Sequence, residues 1–342
     1  MIAHDRLETV LTSLPRLTIG LVGDLFLDRY LEIEPVHELS IETGLEAYQV
    51  SQVRNSPGAL GTVLNNLATL GVGLLVPVTV IGDDGHGYDL LKEVKKLPVD
   101  PSQIICSPRR LTPTYTKPMK PDALGARREL NRLDVRTRQE LSDDETRLLC
   151  ERITKVFHTS DGLIVLDQIV ADEQGAINVL VRSHLCDLAE QHPQKLVFVD
   201  SRAKLQKFQR GTLKGNLSEV AGRVGSDENP VAAASSAAAA LARKTGRPVF
   251  CTLGDRGILV ACPGQEPTLV KGILAQGPVD IVGAGDAATS GIVASLLAGA
   301  DELEAATVGN LVASITVQQL GTTGTATPQQ VRARWEESLR SG

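Results

Sequence analysis

The chain has 342 residues, 42% of them hydrophobic, enough for one large domain or two smaller ones with a substantial core. Its formal net charge of −6 gives no electrostatic case for nucleic acid or an anionic membrane as partner. No apolar stretch approaches a membrane span, and the five scattered cysteines lack C-x-x-C spacing, so they read as reduced thiols.

The first residues carry no basic segment followed by a long apolar one, hence no secretory signal and an expected cytoplasmic location. Aromatics are 3% of the chain, so Leu, Val, Ile and Ala must build the core. Residues 17–22 form a short β-branched run ending at Gly23-Asp24, the pattern of a buried first strand. Residues 30–53 alternate polar and apolar, as exposed antiparallel strands do. The segment 56–61 then opens a helix that Gly71 stops, and residues 75–81 are a second buried strand. A loop at 82–87, a short helix at 89–96 and a second alternating region at 112–134 follow.

From there helices and strands alternate. Residues 142–156 are helical, with Ser142 as N-cap and Glu145 at capping-box spacing. Strands are expected at 162–166, 196–200, 213–217 and 249–253, and helices at 175–191, 231–244, 301–320 and 328–339. Such alternation predicts a parallel sheet covered on both faces. The two polar-apolar insertions predict a small sheet outside it, placed as a lid.

The segment Asp280-Ile-Val-Gly-Ala-Gly-Asp286 is a glycine-rich turn before an apolar helix. Its N–H groups and the helix dipole attract anions. A carboxylate there points to proton handling beside a phosphate. Asp24 and Asp28 after the first strand, Asp200 after a middle one and Thr252-Leu-Gly254 after a late one fall where ligands collect in open α/β sheets. No H-E-x-x-H spacing marks a zinc site.

Gly23-Asp-Leu-Phe-Leu-Asp28, Pro57-Gly58, Asn65-Asn-Leu-Ala-Thr-Leu-Gly71, Asn216-Leu-Ser-Glu219, Thr252-Leu-Gly-Asp-Arg-Gly257 and the 280–286 turn together resemble the ribokinase (PfkB) family of carbohydrate kinases. Asn131-Arg-Leu-Asp134 and Leu320-Gly-Thr-Thr-Gly-Thr are most similar to its heptose-phosphate kinase branch. The resemblance implies an α/β fold, a ribokinase-like three-layer sandwich with a mostly parallel central sheet and a small β-sheet lid. A single kinase domain would span 1–342, with lid insertions at approximately 30–54 and 111–135.

It further implies ATP and Mg2+ as cofactors, a sugar or sugar phosphate as substrate, and Asp286 as the general base. The N–H groups of Gly283, Ala284 and Gly285 would form an anion hole. Asn216 and Glu219 would place Mg2+ and the nucleotide phosphates, Glu219 through water. Thr252, Gly254, Gly257 and Asn310 would line the nucleotide site. Asp28, Gly58 and Thr62 would meet the sugar, and Lys117 and Arg132 would hold a substrate phosphate if there is one. Relatives that pair through their lids imply a homodimer.

The chain departs from the pattern on the sugar side. Ala59 replaces a second glycine, Thr62 stands where Asn is common, and Val282 replaces Thr before the turn. A nucleoside kinase and a non-catalytic sugar or nucleotide sensor are the competing readings. The heptose enzymes often carry a nucleotidyltransferase domain bearing H-x-G-H; no such motif occurs here, so no second activity is expected.

Overall fold

The computed structural model describes residues 2–122, 125, 127–222, 229–321 and 323–341. Helix α1 (His4–Ser13) precedes β1 (Thr18–Gly23). The chain leaves for a second sheet through β2 (Leu25–Ile33) and β3 (Val50–Ala59), and returns by α2 (Leu60–Thr69), β4 (Leu74–Gly82), α3 (Gly85–Val94) and β5 (Ile104–Ser107). A further excursion supplies β6 (Thr114–Pro121), β7 (Arg127–Glu129) and β8 (Leu133–Val135). Then come α4 (Asp143–Thr159), β9 (Gly162–Asp167), α5 (Val179–Gln191), β10 (Leu196–Ser201), β11 (Thr212–Asn216), α6 (Leu217–Ala221), α7 (Pro230–Thr245) and β12 (Val249–Thr252). The remaining elements are β13 (Gly257–Ala261), β14 (Thr268–Lys271), α8 (Ala284–Leu297), α9 (Glu302–Thr316) and α10 (Pro328–Ser341).

The main sheet has nine strands in the order β14-β13-β12-β11-β10-β9-β1-β4-β5. All its pairs are parallel except β12–β13 and β13–β14. Side chains alternate across it, as a strand's period of two requires. Ile19 and Leu21 of β1 enter one core with α1, α2, α8, α9 and α10, while Val22 enters the other with α4, α5 and α7. This is the three-layer α/β architecture expected from the alternation of elements.

Strand order reverses around β1: β4 lies on one side of it and β9 on the other. A crevice for ligands opens at such a point, outside the C-terminal strand ends. Asp24 follows β1, Asp167 ends β9, Asp200 lies near the end of β10, Asn216 ends β11 and Thr252 ends β12. The small sheet covers that end, ordered β3-β2-β6-β7 with β8 also on β6.

Several expectations shift. The lid strands begin at Leu25, because the first half of β2 is buried against the core and polar-apolar alternation appears only beyond Tyr30. Asp28, after β1 as expected, therefore lies within β2. Residues 56–59 belong to β3 and the helix starts at Leu60. Helix α5 starts at Val179, capped by Asn178. The short strands β5, β13 and β14 carried too little periodicity to be read. The Ser142–Glu145 capping box is present in full, a feature that stabilises a helix start by about 1 kcal/mol.

Candidate active site

Helix α8 opens on Gly283 in the left-handed conformation (φ 82°), with no side chain capping it. Asp280 shapes the approach: its carboxylate accepts Val282 N at 3.0 Å and Gly321 N at 3.3 Å. Ala284 N–H is spent on Ile281 O at 3.2 Å. The N–H groups of Gly283 and Gly285 have no protein acceptor among the described residues. A helix start with free N–H groups is an anion site in waiting. Thr62 of α2 reaches the same turn, its Cγ2 3.7 Å from where a Gly283 side chain would begin.

Asp286 follows in the first turn, half-buried. Burial pushes its carboxyl up, and the Asp200 charge adds to this, to about 7, against the opposing pull of Lys214 and Arg202. Asp28 raises it slightly further from the lid side. A carboxyl tuned this way can accept a proton near neutral pH.

Beneath the turn, Lys214 Nζ donates to Asp200 Oδ2 at 2.7 Å, and Thr289 Oγ1 donates to the same oxygen at 2.9 Å. Sequence reading left Lys214 unassigned. The available signal was a lysine inside an apolar strand, two residues before Asn216 and so on the same face.

Asn216 and Glu219 form a reciprocal capping box at the start of α6, Asn216 N donating to Glu219 Oε2 at 2.7 Å and Glu219 N to Asn216 Oδ1 at 3.0 Å. One Glu219 oxygen is thereby spent. Burial pushes the carboxyl up, with Asp200 adding to the effect, so a nearby cation would relieve it. No cluster of three His, Cys, Asp or Glu side chains suited to a metal occurs among the described residues. The donor set fits a magnesium ion that brings its own phosphate and water ligands, with Glu219 in its outer shell.

Thr252 lies opposite Asn216 in the β11–β12 register and donates to Gly215 O at 3.4 Å. Gly254 follows with φ 63°. Gly257 has a packing reason of its own, since a Cβ there would meet Val270 O at 2.1 Å. Asn310 is buried, its amide donating to Val270 O and Lys271 O at 3.2 and 3.1 Å. It fastens α9 to β14.

On the lid side, one row of cross-strand partners reads Ser56, Asp28, Tyr115 and Asp134 across β3, β2, β6 and β8. The next row carries Arg54, Tyr30 and Lys117. Lys117 Nζ contacts Asp28 Oδ2 at 3.4 Å and Tyr30 Oη at 3.2 Å. Burial pushes the Asp28 carboxyl up despite Lys117 and Arg132. Its remaining acceptor capacity suits paired hydroxyls. Gly58 belongs beside it, because a Cβ there would come within 2.9 Å of Asp28 Oδ1. The neighbouring Ala59 holds φ 53° and ψ −114°, a conformation that L-residues with a Cβ adopt only under strain. Ala59→Gly is expected to raise stability by about 1 kcal/mol, read as a higher denaturation midpoint; an unchanged or lower midpoint would count against strain here.

Between lid and sheet lies a cavity of about 310 Å³, lined by Phe26, Tyr115, Arg132, Arg136, Thr137 and Arg202, with the segment 168–171 as one wall. Arg132 forks onto Asp134 at 2.6 and 3.0 Å and stacks on Tyr115 at 4.0 Å. Arg136 reaches Asp134 only at 3.7 Å. The charge of Arg202 is felt at Asp286 and Glu219. Thr137 is buried and its hydroxyl has no partner among the described residues. Lys117 is thus committed to Asp28, while Arg132 does line the cavity. Arg136 and Arg202 join it without having been picked out from sequence. Arg110 is buried and donates to Gln139 O and Gln174 O, while Arg127 stays exposed and pairs with Glu32 at 2.7 Å.

The segment 168–176 is held by Asp24, whose buried carboxylate accepts Gln168 N and Ile169 N at 2.9 Å and Ala176 N at 2.7 Å. Lys204 Nζ, beside Asp167 at 3.4 Å, donates to Ile169 O at 2.9 Å. A larger cleft of about 380 Å³ lies at the opposite, N-terminal end of the strands, by Lys195 and Arg247, far from these groups.

Residues 33–330 match the family model described as "pfkB family carbohydrate kinase". Among curated proteins, the bifunctional protein HldE of Desulfatibacillum aliphaticivorans is 29% identical over 307 residues, 88% of this chain and 60% of the relative. HldE of Pelobacter propionicus is 26% identical over 335 residues, 96% of this chain and 65% of the relative. The chain thus spans about three fifths of the length of the curated relatives it matches. Among solved structures, Arabidopsis thaliana ribokinase complexed with ribose and ATP superposes with a TM-score of 0.66 at 18% identity, covering 93% of this chain and 98% of that one. A Methanocaldococcus jannaschii nucleoside kinase of the ribokinase family gives 0.59 at 17%, covering 94% and 98%. At such identities the likeness is one of fold.

Proposed function

The chain belongs to the pfkB family of carbohydrate kinases, and from that premise we propose that it transfers the γ-phosphoryl group of ATP to a hydroxyl of a sugar that already carries a phosphate. The observation that carries the last clause is the arginine-lined cavity beside Asp28. Arg132, Arg136 and Arg202 line it, and among the described residues Asp134 is the acid paired with the first two. The imbalance matches a phosphate monoester dianion, and arginine forks suit its geometry. ATP use is supported by the free N–H groups at α8 and by the ATP-bound ribokinase to which the chain is similar in fold.

In this reading the acceptor hydroxyl lies between Asp28 and Asp286. Asp286 takes its proton as the oxygen attacks the γ-phosphorus in line, and ADP leaves with the electron pair of the broken P–O bond. Gly283 and Gly285 N–H groups receive the phosphoryl oxygens, since this chemistry depends on positioning and charge neutralisation. Magnesium bound with the nucleotide would neutralise phosphate charge, and Glu219 would hold it through water. The lid over the crevice keeps solvent from competing with the sugar. A lid-to-lid homodimer belongs to the same reading, supported by the exposed Leu39, Ile41, Leu45 and Val53; a monomer mass in sedimentation would remove it.

Since the base must be ionised to act, kcat/KM should climb with pH through about 7, the value to which burial and Asp200 push Asp286. An acid limb near an ordinary aspartate's pKa would contradict the assignment. ADP release measured over a panel of sugars and sugar phosphates tests the substrate class. Phosphorylated acceptors should be favoured by about tenfold or more, with Arg202→Ala erasing much of that advantage, as expected for a hydrogen bond to a charged group. Equal turnover of sugars with and without a phosphate would sink it.

A further inference from the structure

Lys214 is 4% exposed, and a charged lysine is buried so deeply only where partners compensate it. Asp200 compensates the charge, but an ammonium has three donors, and among the described residues only the Asp200 bond is made. The group also stands in a specific place. A side chain grown on Gly285 would begin 3.2 Å from Lys214 Nζ, so the ammonium lies against the second residue of α8, beside the free N–H groups. Burial pulls the ammonium toward neutrality, yet Asp200, Asp286 and Glu219 together hold it up and charged. Thr289 fixes Asp200 from α8, so β10, β11 and α8 all set the position of this one charge.

We propose that Lys214 is a catalytic residue of the transfer, its two unspent N–H groups receiving oxygens of the phosphoryl group as it passes from ATP to the sugar hydroxyl. The inference rests on the kinase reading above. Lys214 stays protonated throughout: the sugar oxygen–phosphorus bond forms, the bond to the β-phosphate oxygen breaks, and the hydroxyl proton goes to Asp286. A fixed cation at that point favours the transition state more than bound ATP, because negative charge moves onto the leaving oxygen and lies spread over the three oxygens of the transferring group there.

The test is Lys214→Met and Lys214→Arg, read as kcat against KM for ATP and as affinity for ADP. Lys214→Met should lower kcat by about a hundredfold or more while ADP affinity stays within about threefold of wild type; Lys214→Arg should recover part of the loss. A structural brace would instead move ADP affinity and melting temperature together with kcat. The acid limb of kcat should also move to higher pH in Lys214→Met, because Asp286 keeps Asp200 and Asp28 as neighbours with only Arg202 opposing them. If Lys214→Met alone does not fold, the double variant Lys214→Met/Asp200→Asn removes both charges of the pair, and the same kcat loss is expected of it. Wild-type kcat in either variant overturns the role of Lys214. A wild-type protein that transfers phosphate to no sugar overturns the kinase reading itself, which is a different result.

Discussion

Asp286→Asn is expected to lose turnover by a factor of about a thousand, within the range that a general base supplies, and at the same time to gain stability. The two effects have one cause. In the folded chain, burial and the Asp200 charge hold the Asp286 carboxyl near 7, against an ordinary value of 3.8. Ionising it therefore costs folding free energy. The sign follows from linkage: the penalty is absent below about pH 4, grows as pH rises to about 7, and is constant above. An amide of the same shape removes it. Because Asp286 is only half-buried, solvent screens part of the penalty, and a gain of about 1 kcal/mol at pH 8 is expected, typical of relieving a functional site. Thermal unfolding of both proteins at pH 5 and pH 8 checks this: the gap should widen at pH 8. A variant that is less stable at pH 8, or one that keeps its turnover, speaks against a tuned base.

Asp24→Ala is expected to be the most damaging substitution for the fold, at about 3–5 kcal/mol. The buried carboxylate accepts three backbone N–H groups from the segment after β9. Removing it leaves those donors without an acceptor and Lys204 with less compensation. The segment it holds, residues 168–171, also walls the arginine-lined cavity. Loss of the carboxylate should raise KM for the phosphorylated acceptor more than KM for ATP, because the nucleotide side rests on α8 and β11. Denaturant unfolding gives the first quantity and steady-state kinetics the second. A cost under about 1 kcal/mol would mean that the backbone finds other partners.

The architecture was legible in the sequence because buried strands such as β1, β9 and β10 are apolar runs ending in acids, a pattern that places both core and crevice. The site was half legible. The turn at 283–286, Asn216, Glu219 and Asp28 stand out by spacing. Lys214, Arg136 and Arg202 do not, since their meaning comes from what the fold sets across from them: Gly285 for Lys214, the far wall of the cavity for the arginines. The burial of Arg110 is illegible for the same reason, because charge in a sequence says nothing of the carbonyls that will meet it. The Ala59 departure, a change of residue in the sequence, is in the structure also a departure in backbone conformation, with φ 53°. Ligand-dependent stabilisation without turnover would make these departures the mark of a sensor.

Phosphorus NMR of the wild-type protein with Mg-ATP and a panel of sugar phosphates tests the central claim most directly. A new phosphate-ester resonance should appear on a phosphorylated sugar, in step with ADP, and should be absent with Asp286→Asn. ATP converted only to inorganic phosphate, or the same ester formed at the wild-type rate by Asp286→Asn, would contradict it.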